Sequence, residues 1–193
     1  MSVVLNSSYF PTINYFRSLK SFPGLYIDIY EYYKRHSNRN RTTILGSNGT
    51  ILLTVPIKRK SKVIMRDIKI ANQDWQRKHI MSIKSSYGSA PFFIHYFDDI
   101  KKLINSKCNY LVDLNNLIIN YCINQLELKK KVNYTKTYKN NYSDNYIDLR
   151  EKINIPKHLE TYDQIFGEKF ISNLSIIDLI FNLGPDAKKY INT

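Results

Sequence analysis

The residue best suited to acid–base chemistry is His79, which falls on a predicted helix. Trp75, His79, Ile83 and Tyr87 recur at every fourth position and so form one stripe along a helix that Asn72 can cap. An imidazole titrates near neutral pH, and partial burial tunes it for general-base catalysis. A histidine inside an apolar stripe is also typical of a hydrogen-bonded core residue. We therefore predict a general base at His79 and keep a structural role as the alternative.

The densest basic cluster, residues 34–41, contains no acidic residue and leads straight into a predicted β-hairpin. It ends in Arg39, Asn40 and Arg41, and the turn of the hairpin carries Asn48. A guanidinium group binds phosphate or carboxylate oxygens in bidentate fashion, and turn amides beside it add donors. These four residues are therefore predicted to bind an anion. The alternative is a solvated run of charge.

Polar residues also interrupt two other apolar helices. Asn115 lies on the apolar face of the clearest predicted helix, where a buried amide needs partners on both its oxygen and its nitrogen, so we expect it to brace a loop. Ser175, Asp178 and Asn182 form a narrow polar stripe on the last predicted helix, which is otherwise apolar. This stripe either is the one solvated face of the helix or lines a polar cleft.

Several common kinds of active site lack sequence support. Cys108 and Cys122 are the only cysteines, so neither a disulfide framework nor a cysteine-rich zinc site is indicated. The sequence contains no Walker A loop and no GxGxxG, HExxH or GxSxG motif. The standard nucleotide-binding, metalloprotease and serine-hydrolase interpretations therefore lose their support, and we predict neither a metal nor a cofactor.

Length and charge bound the class of protein and its partners. The 193 residues, 43% of them hydrophobic, predict one domain spanning residues 1–193. The formal net charge of +13 predicts a surface that attracts anions, whether nucleic acid, an anionic membrane, a nucleotide-linked sugar or an acidic protein. The sequence has no apolar stretch of about 18 residues and does not begin like a signal peptide, so we expect a cytoplasmic protein without a membrane span.

The elements that must position these residues indicate an α/β fold, with a small mixed sheet, a β-hairpin near residues 42–55 and several helices from the C-terminal two-thirds. Residues 3–5 and 25–30 are predicted strands on either side of a helix at 11–20, which makes a βαβ-like unit. Strands at 42–45 and 51–55 flank Gly46-Ser47-Asn48-Gly49, a strong hairpin signal.

Further elements are predicted towards the C-terminus. Strands are expected at 66–70 and 132–137, and helices at 72–87, 89–104 and 111–128. A final helix is predicted to begin with Asn173 as its cap and to stop at Gly184-Pro185.

The order of several short motifs resembles the WbqC-like protein family of bacteria along nearly the whole chain. One departure is Asn6-Ser7, where longer members have Gln-Pro, and another is a shorter segment before the Tyr-x-Gln motif, so the chain resembles a short form of the family. The matching motifs are Tyr9-Phe10-Pro11, Arg39-Asn40-Arg41 before Asn48-Gly49, Leu53-Thr54-Val55-Pro56, Trp75 with His79, Pro91-Phe92-Phe93, Leu111 to Asn115, Tyr162-Asp163-Gln164-Ile165-Phe166, and Asn173 to Asp178 followed by Gly184-Pro185.

The resemblance implies a role in the biosynthesis of O-antigen or another bacterial surface polysaccharide. It suggests transfer of an acyl or aminoacyl group to a sugar amine from a carrier-protein thioester. Acyl-carrier proteins and nucleotide-linked sugars are both anionic, which suits a cationic chain. In such a reaction His79 would take the proton of the amine and donors near Asn40 and Asn48 would stabilise the oxyanion, while Asp178 would orient the base or bind sugar hydroxyls.

We expect these polar residues to include a group that lines one pocket. Two other functions stay open: a basic module that binds nucleic acid, which no recognisable motif supports, and a non-enzymatic scaffold that holds an acidic protein. The residues predicted to be catalytic are His79 and Asp178, and those predicted to bind substrate are Tyr9, Arg39, Asn40, Arg41, Asn48, Trp75, Asn115, Asn173, Ser175 and Asn182.

Overall fold

The computed structural model describes residues 1–58, 62–72, 74–142, 145–151, 153 and 160–192. In chain order, the described elements are β1 (Ser2–Asn6), α1 (Ile13–Arg17), β2 (Gly24–Asp28), β3 (Arg41–Gly46), β4 (Gly49–Thr54), α2 (Trp75–Tyr87), α3 (Phe93–Ile104), α4 (Leu111–Gln125), β5 (Val132–Tyr134), β6 (Tyr146–Asp148), α5 (Ile176–Leu183) and α6 (Ala187–Asn192).

Four parallel strands form the central sheet in the order β5-β2-β1-β6. Strand β1 is an apolar run because it is covered on both faces, and Val3, Val4 and Leu5 are fully buried. The predicted βαβ-like unit is confirmed as β1, α1 and β2, with Val3 paired to Leu25. The α/β class is therefore confirmed.

The predicted hairpin is confirmed as the antiparallel pair of β3 and β4, with Ser47 and Asn48 in the loop between them. Gly49 supplies the positive φ, +112°, that this tight connection requires. The hairpin forms its own two-stranded sheet and stands apart from the four parallel strands. Helix α2 is joined to it, because the backbone N–H of Leu45 donates to the Tyr87 hydroxyl at 3.1 Å.

Two predicted elements differ from the structure. Instead of a strand at 66–70 there is a 3₁₀ turn at Met65–Asp67, followed by isolated bridges. Met65 and Ile68 are buried three positions apart, which is the spacing of a 3₁₀ turn and not of a strand. Helix α5 does stop before Gly184, whose φ is +53°, but the chain then turns through a short 3₁₀ segment into α6. The helix predicted to be final is thus the penultimate one.

The order of the strands defines where a ligand crevice should lie. From β1 the chain moves to β2 and then to β5 on one side, and it returns to place β6 on the other side of β1. In open parallel sheets, ligands bind outside the carboxyl ends of the strands at such a change of direction. The ends of β1, at Asn6, and β6, at Asp148, flank that position here. None of the described helices is long and apolar enough to cross a membrane.

Candidate functional site

A crevice of about 360 Å³ opens at the carboxyl ends of β1 and β6. The end of β1 contributes Asn6, and the loop that follows contributes Ser8. Residues 34–39 line it from the loop before the hairpin, and Arg150 and Glu151 line it after β6. The strand order therefore brings the basic cluster of the sequence to the expected ligand position of the sheet.

A buried ion pair between Arg39 and Glu31 holds one wall of the crevice in place. The Arg39 guanidinium donates to both carboxylate oxygens of Glu31, at 2.8 and 2.5 Å, and to Glu151 at 3.0 Å. Burial raises the pKa of Glu31, although Arg39 opposes that shift. Because two carboxylates of the chain itself already occupy the guanidinium, Arg39 holds the loop in place and is poorly available to an external anion.

A second buried carboxylate, Asp28 at the end of β2, ties the strand ends together. Its oxygens accept hydrogen bonds from the Thr135 hydroxyl at 2.8 Å and from Arg150 at 2.7 Å. Arg150 also donates to Asp148 at the end of β6. Burial disfavours the charged form of Asp148, but the hydrogen bonds from Arg150 outweigh it and lower the pKa of that carboxyl. The ends of β2, β5 and β6 are thus joined by one hydrogen-bonded hub.

Strained backbone is found at two residues that line the crevice. His36 has a φ of +55° and Asn173 a φ of +56°, both unusual for residues other than glycine. Asn173 was predicted to cap α5, and this is wrong, because the cap position of α5 is Ser175. Instead the Asn173 side chain accepts a hydrogen bond from the backbone N–H of Asn14 in the first turn of α1, at 3.1 Å. Asn173 therefore caps α1, which is distant in sequence, and also lines the crevice.

A second cavity of about 470 Å³, which we call the cationic cleft, lies next to the crevice. Arg35 and His36 line both cavities, while Arg41 and Lys58 line the cleft. A guanidinium nitrogen of Arg41 donates to Nδ1 of His36 at 2.9 Å. Within the described part of the chain, no acidic residue forms an ion pair with Arg35, Arg41 or Lys58. Their positive charge is therefore available to a bound anion.

The two asparagines predicted near the basic cluster have structural partners. Asn40 lines the cleft, but its amide donates to the carbonyl of Val55 and accepts from the Tyr33 hydroxyl. Asn115 is fully buried and donates to the hydroxyl of Ser7 at 3.0 Å and to the carbonyl of Arg39 at 2.8 Å. The predicted bracing role of Asn115 is confirmed for its amide nitrogen, which links the loop after β1 to the loop before the hairpin. Its amide oxygen, which was also expected to be paired, has no hydrogen-bond partner among the described residues.

His79 is buried within an aromatic cluster. Its Nδ1 lies 2.9 Å from the Tyr9 hydroxyl, and its other hydrogen bond goes to the backbone of Thr54. The imidazole ring packs against Trp75 with ring centroids 5.1 Å apart. Burial lowers the pKa of His79 to about 4, although the bond to Thr54 works in the opposite direction. The imidazole is therefore neutral at physiological pH, and its surroundings match the structural alternative.

Asp178 belongs to a different cluster. It is fully buried on α5 and accepts hydrogen bonds from Tyr87, Tyr162 and Gln164. Burial raises the pKa of its carboxyl, although these three donors oppose the shift. His79 and Tyr87 are eight residues apart on α2, or about 12 Å along the axis. Asp178 thus contacts the last residue of α2, two turns beyond His79, and the two residues belong to separate hydrogen-bonded clusters.

The remaining predicted residues are distributed around these clusters. Asn48 is exposed at the tip of the hairpin, Ser175 donates to the carbonyl of Phe10, and Asn182 donates to the carbonyl of Asp178. The structure thus brings Arg39, Asn40, Arg41 and Asn173 to the crevice and cleft, and the other predicted residues lie outside both cavities.

Sequence reasoning did not single out several residues of the crevice and cleft: Asn6, Ser8, Arg35, His36, Lys58 and Glu151. Arg35 and His36 lie inside the basic cluster, but nothing in their spacing separates them from its other members. Asn6 could have been found, because a polar residue directly after a buried parallel strand lies at the ligand-binding edge of the sheet.

Comparison with known proteins agrees with the motif pattern. The model of the WbqC-like protein family matches residues 6–161 and 152–190. The uncharacterized protein Rv1507c of Mycobacterium tuberculosis is 25% identical over 225 residues, which cover 97% of this chain and 96% of that protein. No solved structure gives a significant match. Because the family model spans most of the sequence, the chain belongs to the WbqC-like protein family.

Proposed function

We propose that this protein transfers an acyl or aminoacyl group to the amine of a sugar during the biosynthesis of a bacterial surface polysaccharide. The crevice would hold the amino sugar, and the cationic cleft would hold the phosphate-bearing part of a substrate. The observation that carries the proposal is that the two cavities are adjacent and share Arg35 and His36 in their walls. Membership of the WbqC-like family supports the polysaccharide context.

The lining of the crevice suits an amino sugar. Ser8, Asn38 and Asn173 offer short hydroxyl and amide groups of the kind that bind sugar hydroxyls. Glu151 adds a half-exposed carboxylate. Partial burial raises the pKa of that carboxyl, but hydrogen bonds from Lys34 and Arg39 lower it further, so it is charged at neutral pH. The carboxylate pairs with Arg39 and with the exposed Lys34, and the ammonium group of an amino sugar would bind it in place of Lys34.

The lining of the cationic cleft suits a phosphate group. Arg41 offers a planar guanidinium that binds phosphate oxygens at two points, and Lys58 adds a flexible point charge. Carrier-linked acyl donors and nucleotide-linked sugars both bear phosphate. The cleft could therefore hold either partner of the transfer, and a phosphate bound there would lie next to the crevice.

His36 lies where the two cavities meet. Because its Nδ1 accepts a hydrogen bond from Arg41, its other ring nitrogen carries the proton and can donate to a ligand. Such a donor would stabilise the oxyanion that develops when an amine attacks a carbonyl. The general-base role of His79 stays a prediction, and its burial behind Tyr9 favours the structural alternative.

The proposed reaction forms one bond and breaks another at a carbonyl carbon. The sugar nitrogen attacks the thioester, a tetrahedral intermediate forms, and the carbon–sulfur bond breaks to release the carrier thiol. The sugar ammonium first gives one proton to the Glu151 carboxylate or to water, because only the neutral amine can attack. The nitrogen loses a second proton as the amide forms, and the thiolate takes up one proton when it leaves. The protein would supply orientation of the two substrates and stabilisation of the oxyanion.

A transfer assay tests this proposal. Purified protein is incubated with acyl-carrier thioesters and amino-sugar nucleotides, and the product is followed by mass spectrometry. We expect His36→Ala to lower turnover about 100-fold, as is typical when an oxyanion donor is removed. Arg77 is exposed on α2, so Arg77→Lys serves as the control and should leave turnover unchanged. Unchanged turnover in His36→Ala, or no product with wild-type protein across the donor panel, would contradict the proposal.

A further inference from the structure

The four-stranded sheet carries a cluster of tyrosines on one face. Parallel sheets are normally covered by helices on both faces. Tyr26 of β2 pairs with Val4, and Tyr146 of β6 pairs with Ser2, so these side chains project from the same face. The rings of Tyr26 and Tyr146 meet edge to face with centroids 5.2 Å apart. Aromatic rings thus occupy a face where a helix is usual.

These rings line a cavity of about 280 Å³, which we call the tyrosine pocket. Tyr142 completes its aromatic wall and contacts Tyr146 with ring centroids 5.9 Å apart. Its volume is near the lower limit of small-molecule pockets, about 300 Å³. The pocket is therefore large enough for one ring system with a short substituent.

Positive charge borders the same pocket. Lys136 and Lys139 line it from the exposed loop after β5, and the Lys139 ammonium lies 5.8 Å from the centre of the Tyr142 ring. No ion pair joins either lysine to an acidic residue within the described ranges. A ring that enters the pocket and carries a negative group would therefore gain from both features.

We propose that the tyrosine pocket binds a nucleotide, with the base against the tyrosine rings and the phosphate near Lys136 and Lys139. Stacking on aromatic side chains accepts any base, because every base has a flat π face. Several aromatic rings around one cavity favour a planar base over a puckered sugar, and the two lysines favour a phosphate ester over a neutral nucleoside. This site stands on residues other than those that carry the transferase proposal.

Arg150 contacts both the tyrosine pocket and the crevice. The Arg150 guanidinium lies 4.8 Å from the centre of the Tyr142 ring, and the same side chain lines the crevice. Its ion pair with Asp28 fixes it between the two cavities. A nucleotide in the tyrosine pocket would therefore lie on the far side of Arg150 from a sugar in the crevice.

Isothermal titration calorimetry with UMP, AMP and ribose 5-phosphate tests the nucleotide site, because the three ligands share a phosphate and differ in the base. We expect both nucleotides to bind wild-type protein about tenfold more tightly than ribose 5-phosphate. Tyr146→Ala should remove that difference, whereas Tyr146→Phe keeps the ring and should retain it. Ile94→Ala removes an exposed apolar side chain on α3 and serves as the control. Melting temperatures verify that each variant is folded.

A second variant keeps the test decisive if Tyr146→Ala fails to fold. Lys136 is exposed, so Lys136→Glu should fold normally and should weaken all three ligands to a similar extent. Equal affinity of wild-type protein for ribose 5-phosphate and the nucleotides would overturn the proposal and leave a site for phosphate alone. Nucleotide binding that persists in both Lys136→Glu and Tyr146→Ala would place that binding elsewhere and overturn it as well.

Discussion

The Tyr87 hydroxyl on α2 donates a hydrogen bond to Asp178 on α5 across 2.9 Å, and both groups are buried. The same hydroxyl accepts the backbone N–H of Leu45 in the hairpin at 3.1 Å. One oxygen atom thus joins the hairpin and two helices. Asp178 accepts two more hydrogen bonds, from Tyr162 and Gln164, so its charge is satisfied within the protein. This pattern is that of a structural carboxylate.

Tyr87→Phe is expected to destabilise the protein by about 2 kcal/mol, because it leaves the Leu45 N–H and one oxygen of Asp178 without that partner. Urea denaturation followed by circular dichroism measures the change. Tyr121→Phe is the matched control, since the buried Tyr121 hydroxyl has no hydrogen-bond partner among the described residues. Equal stability of the two variants would show that the Tyr87 hydroxyl contributes nothing specific.

Glu31→Gln is expected to cost about 3 kcal/mol of stability, because it leaves the buried Arg39 guanidinium without its main counter-charge. Glu151 bonds the same guanidinium but is half exposed, so Glu151→Gln should cost less than about 1 kcal/mol. Denaturation of both variants under identical conditions gives the comparison. A loss in Glu151→Gln as large as that in Glu31→Gln would refute the assignment of the buried pair.

His79 makes the stability of the protein depend on pH. Its pKa falls to about 4 in the folded state from an ordinary value of 6.5. Between these values the unfolded chain binds a proton that the folded chain does not, so the free energy of unfolding decreases as the pH falls through this window. The full effect is on the order of 3 kcal/mol. His79→Gln should lack this part of the pH dependence when unfolding is measured at neutral pH and at about pH 5.

The same variant decides between the two roles predicted for His79. A core histidine predicts that His79→Gln loses stability at neutral pH while transfer activity per folded molecule is kept. A general base predicts the reverse, with activity lost in a protein of nearly unchanged stability. If wild type and His79→Gln show the same pH dependence of unfolding, burial of His79 does not cause the pH dependence predicted above.

Elements with strong local signals could be predicted from the sequence. The buried strand β1 is a plain apolar run, and the hairpin has glycines at the two ends of its loop. The bracing role of Asn115 also followed, because a lone amide on an apolar helix face must find partners. In each case the cause lies within a few neighbouring residues.

The arrangement of the site depended on contacts that the sequence does not encode locally. Asn6 and Glu151 reach one crevice only because β6, a strand of three residues, pairs with β1. Asn173 caps α1 and not the helix that follows it, through a bond between residues 159 positions apart. His79 and Asp178 were expected in one pocket, but each found its partners in a separate buried cluster. The positions and partners of these residues are decided by packing between segments that are distant in sequence.

Arg41 in the cationic cleft allows a separate test of the substrate site. Replacing Arg41 with Lys keeps the charge but removes the planar pair of donors. Binding of inorganic pyrophosphate, measured by calorimetry, should weaken about tenfold in Arg41→Lys and should be unchanged in the control Arg77→Lys. Unchanged pyrophosphate affinity in Arg41→Lys would mean that the cleft acts only through diffuse charge.

The most direct test of the account compares the affinities of glucosamine 1-phosphate and glucose 1-phosphate, which differ only in the amine. If the crevice holds an amino sugar through Glu151, wild-type protein binds glucosamine 1-phosphate about fivefold to tenfold more tightly. Glu151→Gln should abolish this preference, while Arg41→Lys should weaken both ligands and leave their ratio intact. Equal affinity of wild-type protein for the two sugars, or a preference that survives in Glu151→Gln, would contradict the assignment of the crevice as an amino-sugar site.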